Sequence, residues 1–403
     1  MSAVARDIRH EPNAPAGQGA AVNLASATDW CVDIEEIRDP EAIAERWRDL
    51  ERRAQCSFFQ SWGWVGSWLK TFPEKGRPLL LQARFRGRIV GLSVLGRNAL
   101  RHLKLLSSRA LLVSETGIPA DDALTVEHSG LLMEQGLEQE IIGHCLTALA
   151  AARIEWDELY ISGVERGHIA AYLDGARAAR LQPVVRADHP YFFVDLSELA
   201  RTRTDYLSTL SRNSRYQVRR ALREYRRRGD VRFEVAGSLP DALRFFAEMR
   251  TLHQAYWNGK GYPGAFATRS ANDFHERLIS GRFEKGEIQL VSVRVGNRAC
   301  GYLYSFVFGG IVSNYQSGFR YEEDPKIKPG FVAHALAVEH NLEIGNRVYD
   351  FLVGDQRFKR SLATNEERMI WLALRKDRWK FRLENGLRAL LGRELESVHD
   401  AGR

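Results

Sequence analysis

Between Ile288 and Lys359 the residue pattern changes twice, and that order constrains the fold more than anything else in the chain. Residues 288–319 form three largely apolar runs broken at Gly296-Asn297 and Gly309-Gly310, the signature of an antiparallel meander. A charged loop follows, and Pro329-Gly330 opens an amphipathic helix. A short strand, Val348 to Leu352, then ends at Gly354-Asp355. A meander continued by a helix and one further strand specifies an α/β fold with a mixed sheet.

The rest of the chain repeats this order. In the first half a strand from Trp30 to Ile37 leads to helices starting at Asp39-Pro40 and at Ser61. On the second helix, Trp64 and Trp68 fall on one face, a core stripe. A hairpin turns at Arg86-Gly87-Arg88. Residues 107–125 are expected to be irregular, with a helix from Leu131 to Ala152 behind them. In the second half come an arginine-rich helix (212–228), a strand from Val231 to Val235, helices over 240–257 and 273–279, and then the meander. RFRGRIVGL aligns with RVGNRACGY, which puts Gly91 over Gly301, and WDELYISG aligns with VYDFLVGD. We therefore expect a degenerate tandem duplication with a dozen or more extra residues in the first copy. The expected divisions are a disordered tail (1–28), a first domain (29–197), a second domain (198–380) and a C-terminal helix and tail (381–403).

Composition narrows the class. The chain has 403 residues, 44% hydrophobic and 27% charged, which suits two globular domains. No apolar run reaches the length of a membrane span, and the N-terminus lacks the pattern of a signal peptide. Four separated cysteines form no CxxC pair, which argues against a zinc site and a disulfide framework and fits reduced thiols in a cytoplasmic protein. A net charge of +7 suits an anionic ligand or partner.

Several residues are candidates for chemistry. At the Pro329-Gly330 helix start, the free N–H groups of Gly330, Phe331 and Val332 favour a pyrophosphate, and Lys326 and Lys328 lie just upstream. The competing reading is a plain proline-initiated helix. Asp350 is a charge within an apolar strand, costly unless paired or at a strand end. Asp355 and Lys359 follow the strand, as a turn residue and an ion pair or as acceptor-binding groups. His253 and Trp257 share a helix face, and Tyr315 and Gln316 end a meander strand. His253 is a candidate base, and Tyr315 a candidate donor to a leaving thiolate.

The residues MRTLHQAYWNGKGYPGAF, YQSGF with the KPG helix start, and YDFLVGDQRFK together resemble the acetyltransferase domain of CelD-like proteins of cellulose and exopolysaccharide biosynthesis. Those proteins belong to the GNAT superfamily and are related to FemAB aminoacyltransferases. The resemblance covers about Tyr206 to Leu374. It departs from the family's Gly-Asp-Glu-x-Tyr-Lys pattern, with Gln356 for the glutamate and Phe358 for the tyrosine, and it lacks the glycine-rich pyrophosphate loop of typical GNAT enzymes.

The resemblance implies two tandem GNAT-like acyltransferase domains, the first degenerate. It implies transfer of an acyl group, usually acetyl, from a CoA thioester to an amine acceptor, without a metal. Asp350, His253 and Tyr315 would lie near the chemistry. Lys326, Lys328, Gly330, Phe331 and Val332 would hold the cofactor, and Asp355, Lys359, Trp257 and Gln316 the acceptor. Two rivals remain: a FemAB-like enzyme taking its donor from charged tRNA, which the arginine-rich helix motivates, and a non-catalytic polysaccharide-assembly factor.

Overall fold

The computed structural model describes residues 29–72, 78–103 and 106–391. The expected tail at 1–28 and the last residues, 392–403, lie outside that set. Among the described residues no helix is long and apolar enough to cross a membrane.

The first half runs β1 (Trp30–Glu36), α1 (Glu41–Glu51), α2 (Trp62–Thr71), β2 (Leu79–Phe85), β3 (Arg88–His102), β4 (Leu106–Val113), β5 (Leu132–Met133), α3 (Glu138–Ala151), β6 (Glu158–Glu165), α4 (Arg166–Ala178) and β7 (Gln182–Asp195). After the short α5 (Leu196–Thr202) and α6 (Tyr206–Thr209), the second half has α7 (Arg212–Arg226), β8 (Val231–Val235), α8 (Leu239–Gly259), α9 (Arg269–Arg282), β9 (Ile288–Val295), β10 (Arg298–Phe308) and β11 (Ile311–Phe319). It continues through α10 (Pro329–Glu343), β12 (Val348–Val353), α11 (Arg357–Leu362), β13 (Asn365–Arg375) and α12 (Trp379–Leu391).

Local sequence explains most boundaries. The Asp39 carboxylate accepts the Glu41 N–H at 2.9 Å ahead of α1, and Ser61, Ser211, Ser238 and Thr268 each cap the helix that follows. Two expected boundaries in the first half needed correction. Residues 106–113 are not irregular: they form β4, because the long β3 offers them a full antiparallel ladder from Leu95↔Val113 to His102↔Leu106. The helix expected from Leu131 begins only at Glu138, since Leu132 and Met133 pair with β3 as β5.

All strands join one mixed sheet in the order β1-β2-β3-β4-β6-β13-β7-β12-β11-β10-β9-β8, with β5 alongside β3. From either end the same succession appears. Four antiparallel strands are followed by a parallel fifth, β6 beside β4 or β12 beside β11. The next strand belongs to the other half: β13 lies against β6, and β7 against β12. The halves thus exchange their last strands, and the exchanged pair meets along an antiparallel ladder from Asn365↔Phe193 to Arg375↔Gln182.

The duplication is visible in the irregularities. The hairpin β2–β3 bulges at Val90, before Gly91, and β9–β10 bulges at Cys300, before Gly301. Gly91 and Gly301 are therefore equivalent. The other sequence alignment is offset by three residues. β6 bulges at Ser162-Gly163 where it meets β13, and β12 bulges at Phe351-Leu352 where it meets β7. Gly163 (φ +65°) and Leu352 (φ +62°) share the left-handed conformation.

α3 and α4 cover one face of the first half. α7 and α10 cover one face of the second. On the opposite face α2 of the first half packs with α8 and α9 of the second around a shared aromatic core. Trp64 meets Phe274 at 4.8 Å and Phe306 at 5.6 Å between ring centroids, so the tryptophan stripe of α2 is core, as its spacing suggests.

Candidate active site

Each parallel pair stays in register for only three residues. In the second half Ile311, Val312 and Ser313 face Val348, Tyr349 and Asp350, and the strands then diverge. Past that point β11 bulges at Tyr315, and β12 bulges at Phe351-Leu352. Tyr349 and Phe351 pack into the core beneath α10. Alternation along the strand turns Asp350 to the other face.

Asp350 is buried, and its partner comes from the first half. Its Oδ2 lies 2.9 Å from His128 Nε2, and its Oδ1 accepts the Leu352 N–H at 2.7 Å. His128 Nδ1 lies 2.8 Å from Glu165 Oε1. Burial alone would lower the His128 pKa. The hydrogen bonds and charges of Asp350 and Glu165 outweigh it and push the imidazole up to about 10. The same hydrogen bond from His128 holds the Glu165 carboxyl below its ordinary range. The Tyr191 ring stands edge-on to His128 at 5.0 Å, and its hydroxyl donates to Glu367 at 2.7 Å.

The extra residues of the first half build this contact. The segment between β4 and β5 crosses to the diverging strands. There the Leu124 carbonyl accepts the Tyr315 hydroxyl, and Glu127 accepts the Val353 N–H at 2.6 Å. Thr125 and His128 adopt left-handed φ values of +45° and +46°, costly for residues other than glycine. The Ser57 hydroxyl fixes the bend by donating to the His128 carbonyl at 2.7 Å. Sequence reasoning missed Glu127, His128 and Glu165. The only signal was the insertion itself, a TVEHSG run in a stretch with no periodicity.

On the α10 face, Lys328 precedes the helix. Its ammonium bonds the Gln217 side chain and lies 5.0 Å above the Phe331 ring. Burial, Arg220 and Arg357 together lower its pKa, so three cations gather at the start of α10. A Cβ on Gly330 would lie 3.2 Å from the Phe319 ring, so the glycine also makes room for β11. Val332 is buried in the core, Phe331 is half-buried, and Lys326 is exposed in the preceding loop.

The remaining candidates are dispersed. Both nitrogens of His253 are engaged by backbone, with Nδ1 3.1 Å from the Ser317 carbonyl and Nε2 accepting the Ala265 N–H at 3.2 Å. Burial lowers its pKa. Trp257 packs 6.1 Å from His253 and edge-on to Tyr262. Tyr315 is buried among Trp64, Phe306 and His275, and burial raises its phenol well above the ordinary range. Gln316 is half-buried beside the Tyr315 bulge. Asp355 is exposed and pairs with Arg360 at 2.9 Å. Lys359 turns inward and donates to the Leu352 and Val353 carbonyls at 3.2 and 2.5 Å, tying down the end of β12.

In the first half β4 and β6 likewise pair over only three residues, and Glu115, just past β4, ties the two strands together. The Ser162 hydroxyl donates to Glu115 at 2.8 Å, and the Glu115 carbonyl lies against Gly96, where a Cβ would not fit. Among the described residues no group of His, Cys, Asp and Glu is arranged to hold a metal.

A family model for the acetyltransferase (GNAT) domain matches residues 212–360, which span α7 to α11 and include Asp350 and the α10 start. No protein of curated description matches the sequence. Solved structures share the fold over nearly the whole chain at low identity. FemX superposes with a TM-score of 0.55 at 12% identity, covering 90% of this chain and 100% of its own. The C-terminal domain of a putative lysylphosphatidylglycerol synthetase from Agrobacterium fabrum gives 0.52 at 12%, covering 91% and 99%. L-PGS from Bacillus licheniformis gives 0.50 at 14%, covering 90% and 100%.

Proposed function

We propose that the protein is an N-acyltransferase that moves an acyl group from a CoA thioester to an amine, with one active site in the second half. One observation carries this reading: β11 and β12 part immediately after Asp350, with the cationic start of α10 on one face and the carboxylate on the other. A thioester lying through the gap would present its phosphates to Lys328, Arg220 and the N–H groups of Gly330 and Phe331. Its carbonyl would lie toward the face that carries Asp350.

The reaction is a direct displacement. The amine nitrogen bonds to the thioester carbonyl carbon and the C–S bond breaks. An ammonium substrate gives up two protons, one passing by way of Asp350 to water and one ending on the departing thiol. His253 and Lys359 act in this scheme as struts that fix α8 and the end of β12. Tyr315 holds the inserted segment, and Trp257 and Gln316 border the acceptor side. The first half has no Pro-Gly start before its equivalent helix α3, which supports a single cofactor site. The CelD-like motifs favour an acceptor in exopolysaccharide or cell-envelope synthesis.

A second reading, a donor carried on tRNA, is favoured by α7. Arg227 pairs with Glu224, and Arg228 with Glu322. Arg212, Arg219 and Arg223 form no ion pair among the described residues, which leaves a cationic surface beside the α10 start. Thermal shift with acetyl-CoA, longer acyl-CoAs and charged tRNA, followed by thiol-release assays on a panel of amines, separates the two readings. We expect stabilisation by a thioester and thiol release that charged tRNA does not compete away. Stabilisation by charged tRNA alone would move the assignment to the second reading.

A further inference from the structure

We infer that the first half of the chain supplies a positioning residue to the active site of the second: His128, braced by Glu165, provides the cation that holds Asp350 in its working orientation. The inference rests on the acyltransferase reading of Asp350 and goes beyond it by making the degenerate half part of the site.

The geometry is specific. Both imidazole nitrogens face a carboxylate, at 2.9 Å to Asp350 and 2.8 Å to Glu165. A ring that donates from both nitrogens carries a positive charge. The Asp350 side chain is 4% exposed and that of His128 is 11%, whereas Glu165 is 48% exposed. A buried carboxylate thus meets a nearly buried cation that is anchored in turn to a surface carboxylate. Other groups surround the ring. Tyr191 of β7 stands edge-on and is tied to Glu367 of β13. Glu127 precedes His128 and holds Val353, His168 of α4 acts on Glu165, and Met369 Sδ accepts the backbone N–H of His128 at 3.5 Å.

Strain adds to the case. Two left-handed residues, Thr125 and His128, are maintained in a segment that reaches from one half of the sheet to the other. Packing alone would not require a charged triad there, because an apolar substitute would avoid burying charge. A base in a direct acyl transfer must instead be ionised and fixed before the amine arrives.

The test is the pH dependence of kcat/KM, read as thiol release from acetyl-CoA with the best amine of the panel, for the wild type, His128→Gln, His128→Ala and Glu165→Gln. Without its cation a buried carboxylate takes up a proton more readily, so the acid limb should move up by about one pH unit or more for both His128 variants. At pH 7 kcat/KM should fall at least tenfold, with the Kd for acetyl-CoA unchanged. Glu165→Gln, at a half-exposed position, should shift the limb less and in the same direction. An unshifted acid limb, or a uniform fall at every pH, would overturn the inference while leaving the acyltransferase reading intact. A folded wild type that neither binds nor turns over any CoA thioester would overturn that reading and the inference with it. Ring 15N shifts of His128 give an independent check on the folded wild type. An imidazole already neutral at pH 8 would also overturn the assignment.

Discussion

Gly96 lies on β3 beneath the Glu115 carbonyl, and a methyl group there would collide with backbone rather than with a flexible side chain. Gly96→Ala should therefore destabilise the protein by about 2 kcal/mol or more, seen as a lower midpoint in urea. His128 is a different kind of residue, because its contribution depends on pH. Its folded pKa, about 10, lies above the ordinary histidine value. Its stabilisation is therefore complete below that ordinary value and is lost as pH rises through about 10. Replacing it with Gln should cost about 3 kcal/mol near neutral pH, since it leaves Asp350 buried without its cation. Chemical denaturation of wild type and variant at several pH values should show the difference shrinking toward pH 10. Asp350 could be singled out from the sequence because a charge in an apolar run must find a partner. The partner could not, because His128 and Asp350 are 222 residues apart.

The exchanged strands dominate at the level of elements. β13 closes the first half against β6, and β7 closes the second against β12. A chain truncated before Asn365 should lose cooperative folding in both halves, measured by hydrogen exchange across β6 and β7 as well as by circular dichroism. Residues 198–391 expressed alone should fare no better, because β12 would be left an exposed apolar edge. A first half that stayed protected after loss of β13 would contradict this. The α10 start makes a separate prediction. Lys328→Ala and Arg220→Ala should each weaken CoA thioester binding about tenfold, with smaller losses at high salt, by calorimetric titration. The elements of the second half were legible, since its meander turns and helix caps are written in adjacent residues. β4 and β5 were not, because their pairing depends on the unusual length of β3, a partner outside the local window.

For the whole molecule, the sequence by itself determined the α/β class, the order of elements in the second half and the doubling of that order. It also placed Gly91 over Gly301, since a bulge that needs a glycine leaves its mark at the same point in both hairpins. These properties rest on periodicity, turn chemistry and capping, which act over a few residues. Only the tertiary structure decided that the two halves share one sheet by exchanging β7 and β13. It also decided that an aperiodic insertion carries Glu127 and His128 across to the parting strands, and that Lys359 and His253 spend their polar atoms on backbone. The physical reason is the same in each case. Long-range pairing is decided by which surfaces meet when the chain collapses, and no short stretch of sequence records its distant partner.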